Sequence, residues 1–224
     1  MSSVQNKTIS ARQALSGTYE VLVSAKREIG LYFAVFAGLS ALQMAADRYL
    51  DLLNPIIVLV TFVAYFYAQN RLYQILLRNS GVPVPPGLRT FRLLGMALVI
   101  GIALSFASNF FILPALVLGA KWIMAPSVLV ANAKSGIFSA LGESWTASDG
   151  NTLQLTLAFA AVFSFWAILI IAIGSITDAT NLAAGYNFFT ALTIYILPIF
   201  MMGLSVAAFR QLTSGTADIA EVFV

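Results

Sequence analysis

LLGMALVIGIALSFASNFFILPALVLGAKWIMAPSVLVAN, residues 93–132, is a run of 40 residues with a single charge, Lys121. As one straight helix it would rise about 60 Å, twice the roughly 30 Å hydrocarbon thickness of a bilayer. Asn109 and Pro114 mark the place to break, because proline suits the first turn of a new helix. A sharp turn near residues 108–114 predicts two spans, 93–112 and 113–132. The alternative is one kinked helix that leaves along the interface.

On either side, four more runs approach the roughly 20 apolar residues that a crossing needs: 29–46, 53–77, 152–176 and 183–209. The second turns polar at Gln69, Asn70 and Arg71, so its last turns are expected to emerge from the membrane. Composition agrees with a lipid solvent. The chain of 224 residues is 60% hydrophobic and 9% charged, whereas soluble domains carry about a quarter of their residues as charges. The fold class expected is all-α: a polytopic transmembrane helix bundle of about six spans.

Charge placement bears on the count. With six spans and both termini on the cytoplasmic side, that side holds Lys7, Arg12, Lys26, Arg27, Arg71, Arg78, Arg89, Arg92, Lys134 and Arg210, and the outside holds Arg48. That is the asymmetry of the positive-inside rule. Five spans would move Lys134 and Arg210 outside. Residues 1–28 are polar and lack the basic, apolar, small-residue order of a cleaved signal peptide. The expected location is a bacterial inner membrane, with 1–28 and 211–224 as cytoplasmic segments.

Two stretches read as amphipathic helices on the cytoplasmic side. In 9–25, Ala11, Ala14, Leu15, Tyr19 and Leu22 share a face; in 136–147, Ile137, Phe138, Leu141 and Trp145 do. Such helices lie in the headgroup plane with the apolar face down, where Tyr19 and Trp145 would be interfacial anchors. Plain anchoring of the bundle is the simpler reading, partner docking the more specific one.

Arg71, Arg78, Arg89 and Arg92 surround the short loop 79–87, which Pro83, Pro85 and Pro86 stiffen. Guanidinium groups grip phosphate bidentately, so this cluster is the candidate contact for anionic headgroups; the four can equally be topology determinants. Lys121 is a candidate intramembrane charge, costly there unless it pairs or snorkels, and otherwise an interfacial residue beside Trp122. Pro126 and Pro198 should kink their helices. The small-residue pairs Ala34/Gly38, Gly101/Ser105 and Gly203/Ala207 permit close helix approach.

The stretch SALGESWTASDGN (139–151), after Leu113-Pro114, Lys121 and Pro126 and before a long span, resembles a family pattern. It is similar to the polytopic membrane domain attached to some bacterial glycerophosphoryl diester phosphodiesterases, and to free-standing alphaproteobacterial relatives of unassigned role. There a Ser-Trp pair and a small polar turn lead into the next span, matched here by Ser144-Trp145 and Ser148 to Asn151. The soluble phosphodiesterase barrel needs histidine, and this chain has none, so the resemblance implies a membrane domain without that activity.

With neither cysteine nor histidine, thiolate chemistry, an imidazole base and nearly every zinc or haem site are excluded. No catalytic residue, metal or cofactor is expected. The expected role is a non-enzymatic scaffold, accessory subunit or lipid-organising component. The alternative is a small transporter or channel for a lipid or other hydrophobic solute. Membrane lipids, anionic ones among them, are the expected partners, together with a membrane protein or a second copy; nothing points to nucleic acid.

Overall fold

The computed structural model of the protein describes residues 8–49, 54–87, 89–180 and 183–213. Every regular element among them is a helix: α1 (Ala11–Ser24), α2 (Lys26–Tyr49), α3 (Asn54–Asn79), α4 (Thr90–Phe110), α5 (Ile112–Lys121), α6 (Ala125–Ala131), α7 (Ile137–Ala147), α8 (Thr152–Thr180) and α9 (Ala183–Thr213). Among the described residues, six stretches are long and apolar enough to cross a membrane: Lys26–Ala46, Pro55–Asn79, Thr90–Asn109, Ile112–Ala131, Thr152–Ser175 and Thr193–Thr213. The chain is thus an all-helical, multi-pass membrane protein.

The helix ends follow local chemistry. Ser10 opens α1 with a capping box, its hydroxyl accepting from Gln13 N while the Gln13 side chain accepts from Ser10 N. After α3, Gly81 takes a φ of 79°, and Val82 N donates to Leu77 O across the turn. That reversal needs left-handed backbone, which glycine adopts without a Cβ clash. The decisive break in 93–132 falls at Phe111, whose extended backbone (φ −162°, ψ 149°) ends α4 and begins α5. Pro114 then sits in the first turn of α5, as its missing N–H allows. A second break follows Lys121, and Pro126 occupies the first turn of α6, so this proline starts a new helix where a kink was expected. Pro198 stays inside α9.

The exterior of the long helices is apolar. Leu59 and Val60 on α3, Ile102 and Phe106 on α4, and Ile168 and Ile171 on α8 all stand exposed, a surface that only hydrocarbon solvates well. The buried core concentrates at one end of the bundle, around Leu76, Leu77, Met124, Leu129, Leu204 and Val206. This end, the basic end, also carries Arg71, Arg78, Arg89, Arg92 and Arg210. There α1 lies along α9. Gly17 and Gly203 make the approach possible: a Cβ on Gly203 would stand 2.9 Å from Leu22 Cγ, and one on Gly17 3.3 Å from Ala207 Cβ. Of the three small-residue pairs, Gly203/Ala207 is used at a helix contact, while Gly38 and Gly101 face open space.

Several expectations need correcting. Helices form at both amphipathic stretches, but each is packed into the bundle. The buried face of α1 is Ala14, Gly17, Thr18 and Val21, rotated from the expected one so that Tyr19 is exposed. The buried face of α7 is Ala140, Leu141 and Ser144, with Phe138 exposed. Small residues set both faces because they permit backbone approach. At the end of α3 the polar residues divide: Asn70 and Gln74 are buried within the bundle, while Arg71 and Arg78 are exposed. Finally, α8 and α9 run to Thr180 and Thr213, so the expected tail 211–224 begins as helix, and 214–224 lies outside the described residues.

Candidate functional site

The four arginines expected to share one loop are divided between two tasks. Arg89 is the residue before α4, and its Nη1 donates to Leu129 O at 2.8 Å and to Val130 O. Arg92, one turn on, donates from Nη1 to Ala133 O at 3.2 Å and to Ser135 O at 3.4 Å. These are the orphan carbonyls at and beyond the end of α6, and a cation there also meets the negative pole of the helix. Burial, and then the nearby Arg92 charge, push the Arg89 pKa down from the usual arginine range. Arg71 and Arg78 are exposed on α3. Arg71 lies over the Tyr67 ring at 5.8 Å and donates from Nε to the Tyr67 hydroxyl at 3.4 Å, which leaves its terminal nitrogens open.

Lys121 closes α5. Its side chain is 10% exposed, and its ammonium pairs with the carboxylate of Asp149, which is 59% exposed in the turn before α8. The ammonium also stands over the Trp145 ring, 5.1 Å from its centre. Trp122 packs against Trp145, and Ser144 donates from its buried hydroxyl to Lys121 O at 2.7 Å. Lys121 is therefore neither a free interior charge nor a plain interfacial residue; its apolar stem is buried and its head reaches a half-solvated partner. The cluster ties α7 to the break between α5 and α6. The Ser144 hydroxyl is occupied by that carbonyl, and nothing in the cluster activates it as a nucleophile.

Two apolar grooves open sideways between helices. The larger, of about 650 Å³, lies between α1, α2, α8 and α9; Leu22, Phe33, Val162 and Phe200 line it, with Tyr19 and Lys26 on its walls. The smaller, of about 340 Å³, lies between α2 and α3 and carries Glu28, Tyr67 and Arg71 beside apolar walls. Sequence reasoning missed both: the larger joins faces of helices distant in the chain, and the smaller depends on how the consecutive helices α2 and α3 pack side by side. Trp145, the other expected anchor, is 44% exposed at the Lys121 cluster.

The core of the basic end is also more polar than the span sequences suggested. Ser127 on α6 and Ser205 on α9 share a hydrogen bond of 2.7 Å, and the Tyr73 hydroxyl reaches Ser205. Gln74 donates to Gly87 O at 2.8 Å, tying the proline-rich loop to α3. Asn70 is fully buried with neither amide atom hydrogen-bonded. Among the described residues no three His, Cys, Asp or Glu side chains gather as metal ligands. Compared with known protein families, curated proteins and solved structures, the chain matches none.

Proposed function

We propose that this chain is a non-enzymatic protein of a bacterial inner membrane that organises lipid, with its basic end and both termini in the cytoplasm. The groove between α1, α2, α8 and α9 carries the reading: about 650 Å³ of apolar space with Lys26 on its wall where α2 begins. An acyl chain fits such a lining, and a cation at the polar end suits a phosphate headgroup. The predicted surplus of cations on that side supports this role. Extraction into native nanodiscs, followed by mass spectrometry, should find phospholipid bound to the wild type and fewer copies on Lys26→Gln. Equal lipid on both proteins would refute the reading.

Transport of a lipid or other hydrophobic solute is the second reading, and the buried polar groups around Asn70, Tyr73 and Ser205 favour it, since polar groups inside a membrane bundle commonly mark a path. Its test is the exchange of a fluorescent phospholipid between the leaflets of reconstituted liposomes. Exchange that is abolished in Asn70→Leu supports transport; no exchange above protein-free liposomes rejects it.

A further inference from the structure

The smaller groove, between α2 and α3, pairs apolar walls with charges of both signs. Leu31, Val35, Ala64 and Ala68 line it, and Glu28 and Arg71 stand on opposite walls. Two contacts fix the relative height of these walls. Asn79 donates to Ser24 O at 3.1 Å, setting the end of α3 beside the start of α2, and Phe36 meets Tyr65 with ring centres 5.8 Å apart further in. By the helical rise Glu28 therefore lies towards the basic end, with Arg71 about 3–6 Å further in. On α3 the lining runs from Ala64 to Ile75, roughly 16 Å at the helical rise. That is about the depth of one leaflet, half of the 30 Å hydrocarbon core.

The two charges do not neutralise each other. Among the described residues neither Glu28 nor Arg71 forms an ion pair, although both face one groove. Arg71 is held in place by the Tyr67 ring and hydroxyl, so binding a phosphate would cost little further ordering of its side chain. A carboxylate opposite would repel a purely anionic headgroup and attract one that ends in an ammonium.

We propose that the α2–α3 groove binds a glycerophospholipid whose headgroup joins a phosphate to a primary ammonium, with the phosphate on Arg71, the ammonium on Glu28 and one acyl chain along Ala64 and Ala68. This site is separate from the groove that contains Lys26 and stands or falls independently of it. The test reconstitutes the full chain in vesicles of equal phosphatidylethanolamine and phosphatidylglycerol, extracts it in mild detergent and counts retained lipids by native mass spectrometry. The wild type should retain phosphatidylethanolamine over phosphatidylglycerol by several-fold. Glu28→Gln should erase that preference, Arg71→Gln should lower retention of both, and Ala68→Phe should do the same by filling the groove. An unchanged lipid ratio in Glu28→Gln, or unchanged retention in both Arg71→Gln and Ala68→Phe, overturns the proposal, whatever Lys26→Gln does.

Discussion

Lys121 and Asp149 are 28 residues apart in the chain and unequal in their surroundings. The lysine is nearly enclosed, with its ammonium over the Trp145 ring, while the aspartate is more than half open to solvent. Removing either partner breaks the same contact but leaves different remnants. Asp149→Ala strands a buried ammonium, at a cost of about 1–3 kcal/mol for a buried donor left unsatisfied. Lys121→Met substitutes an apolar chain of similar length and leaves a carboxylate that water can solvate. We expect Asp149→Ala to lower the thermal midpoint in nanodiscs more than Lys121→Met does, and the reverse order would refute the assignment of burial. The sequence marks Lys121 as anomalous, since a charge in a long apolar run stands out. It does not disclose Asp149, because an acidic residue in a polar turn has no distinguishing neighbour until the fold supplies one.

Among the helices, α1 is the one whose role differs most from its pattern. Its periodicity suits a helix resting on a surface, yet Ala14, Gly17, Thr18 and Val21 are buried, and Gly203 on α9 abuts Thr18 and Leu22. The Arg210–Glu20 ion pair, at 3.5 Å and exposed, adds little. Packing density holds this contact. A Gly203→Val substitution forces Leu22 aside and should destabilise the bundle by about 1–3 kcal/mol, the usual cost of overpacking; Gly38→Val, with open space around it, should cost far less. Comparing the two thermal midpoints checks this. Spacing alone identified three small-residue pairs without ranking them, for a small residue that faces lipid and one that faces a helix look alike in sequence. The turn at Phe111 was more legible. Asn109 and Pro114 bracket it, and a run twice the length of a crossing must break somewhere.

For the molecule as a whole, the hydrophobic exterior and the number of long helices could be read from composition and segment length. The depth of α3's polar end could not, because Gln69, Asn70 and Arg71 look the same whether they leave the membrane or turn inward under other helices. Side-specific labelling decides the number of crossings. The chain has no cysteine, so single-cysteine variants report without background. Ser80→Cys, after α3, and Ala133→Cys, after α6, should react with an impermeant maleimide from one and the same side. Reaction from opposite sides would mean that α4, α5 and α6 make a single crossing. The join between α4 and α5 also bears on how the protein is built. One extended residue separates the two helices, and Phe111, Ile112 and Leu113 at the tip are bare and oily. In the proposed orientation, the insertion machinery has no charged connector to haul across at this point during synthesis. The two segments can leave the translocon sideways as a preassembled pair, and a cluster of charges grafted onto that tip should stall biogenesis before it harms the finished fold.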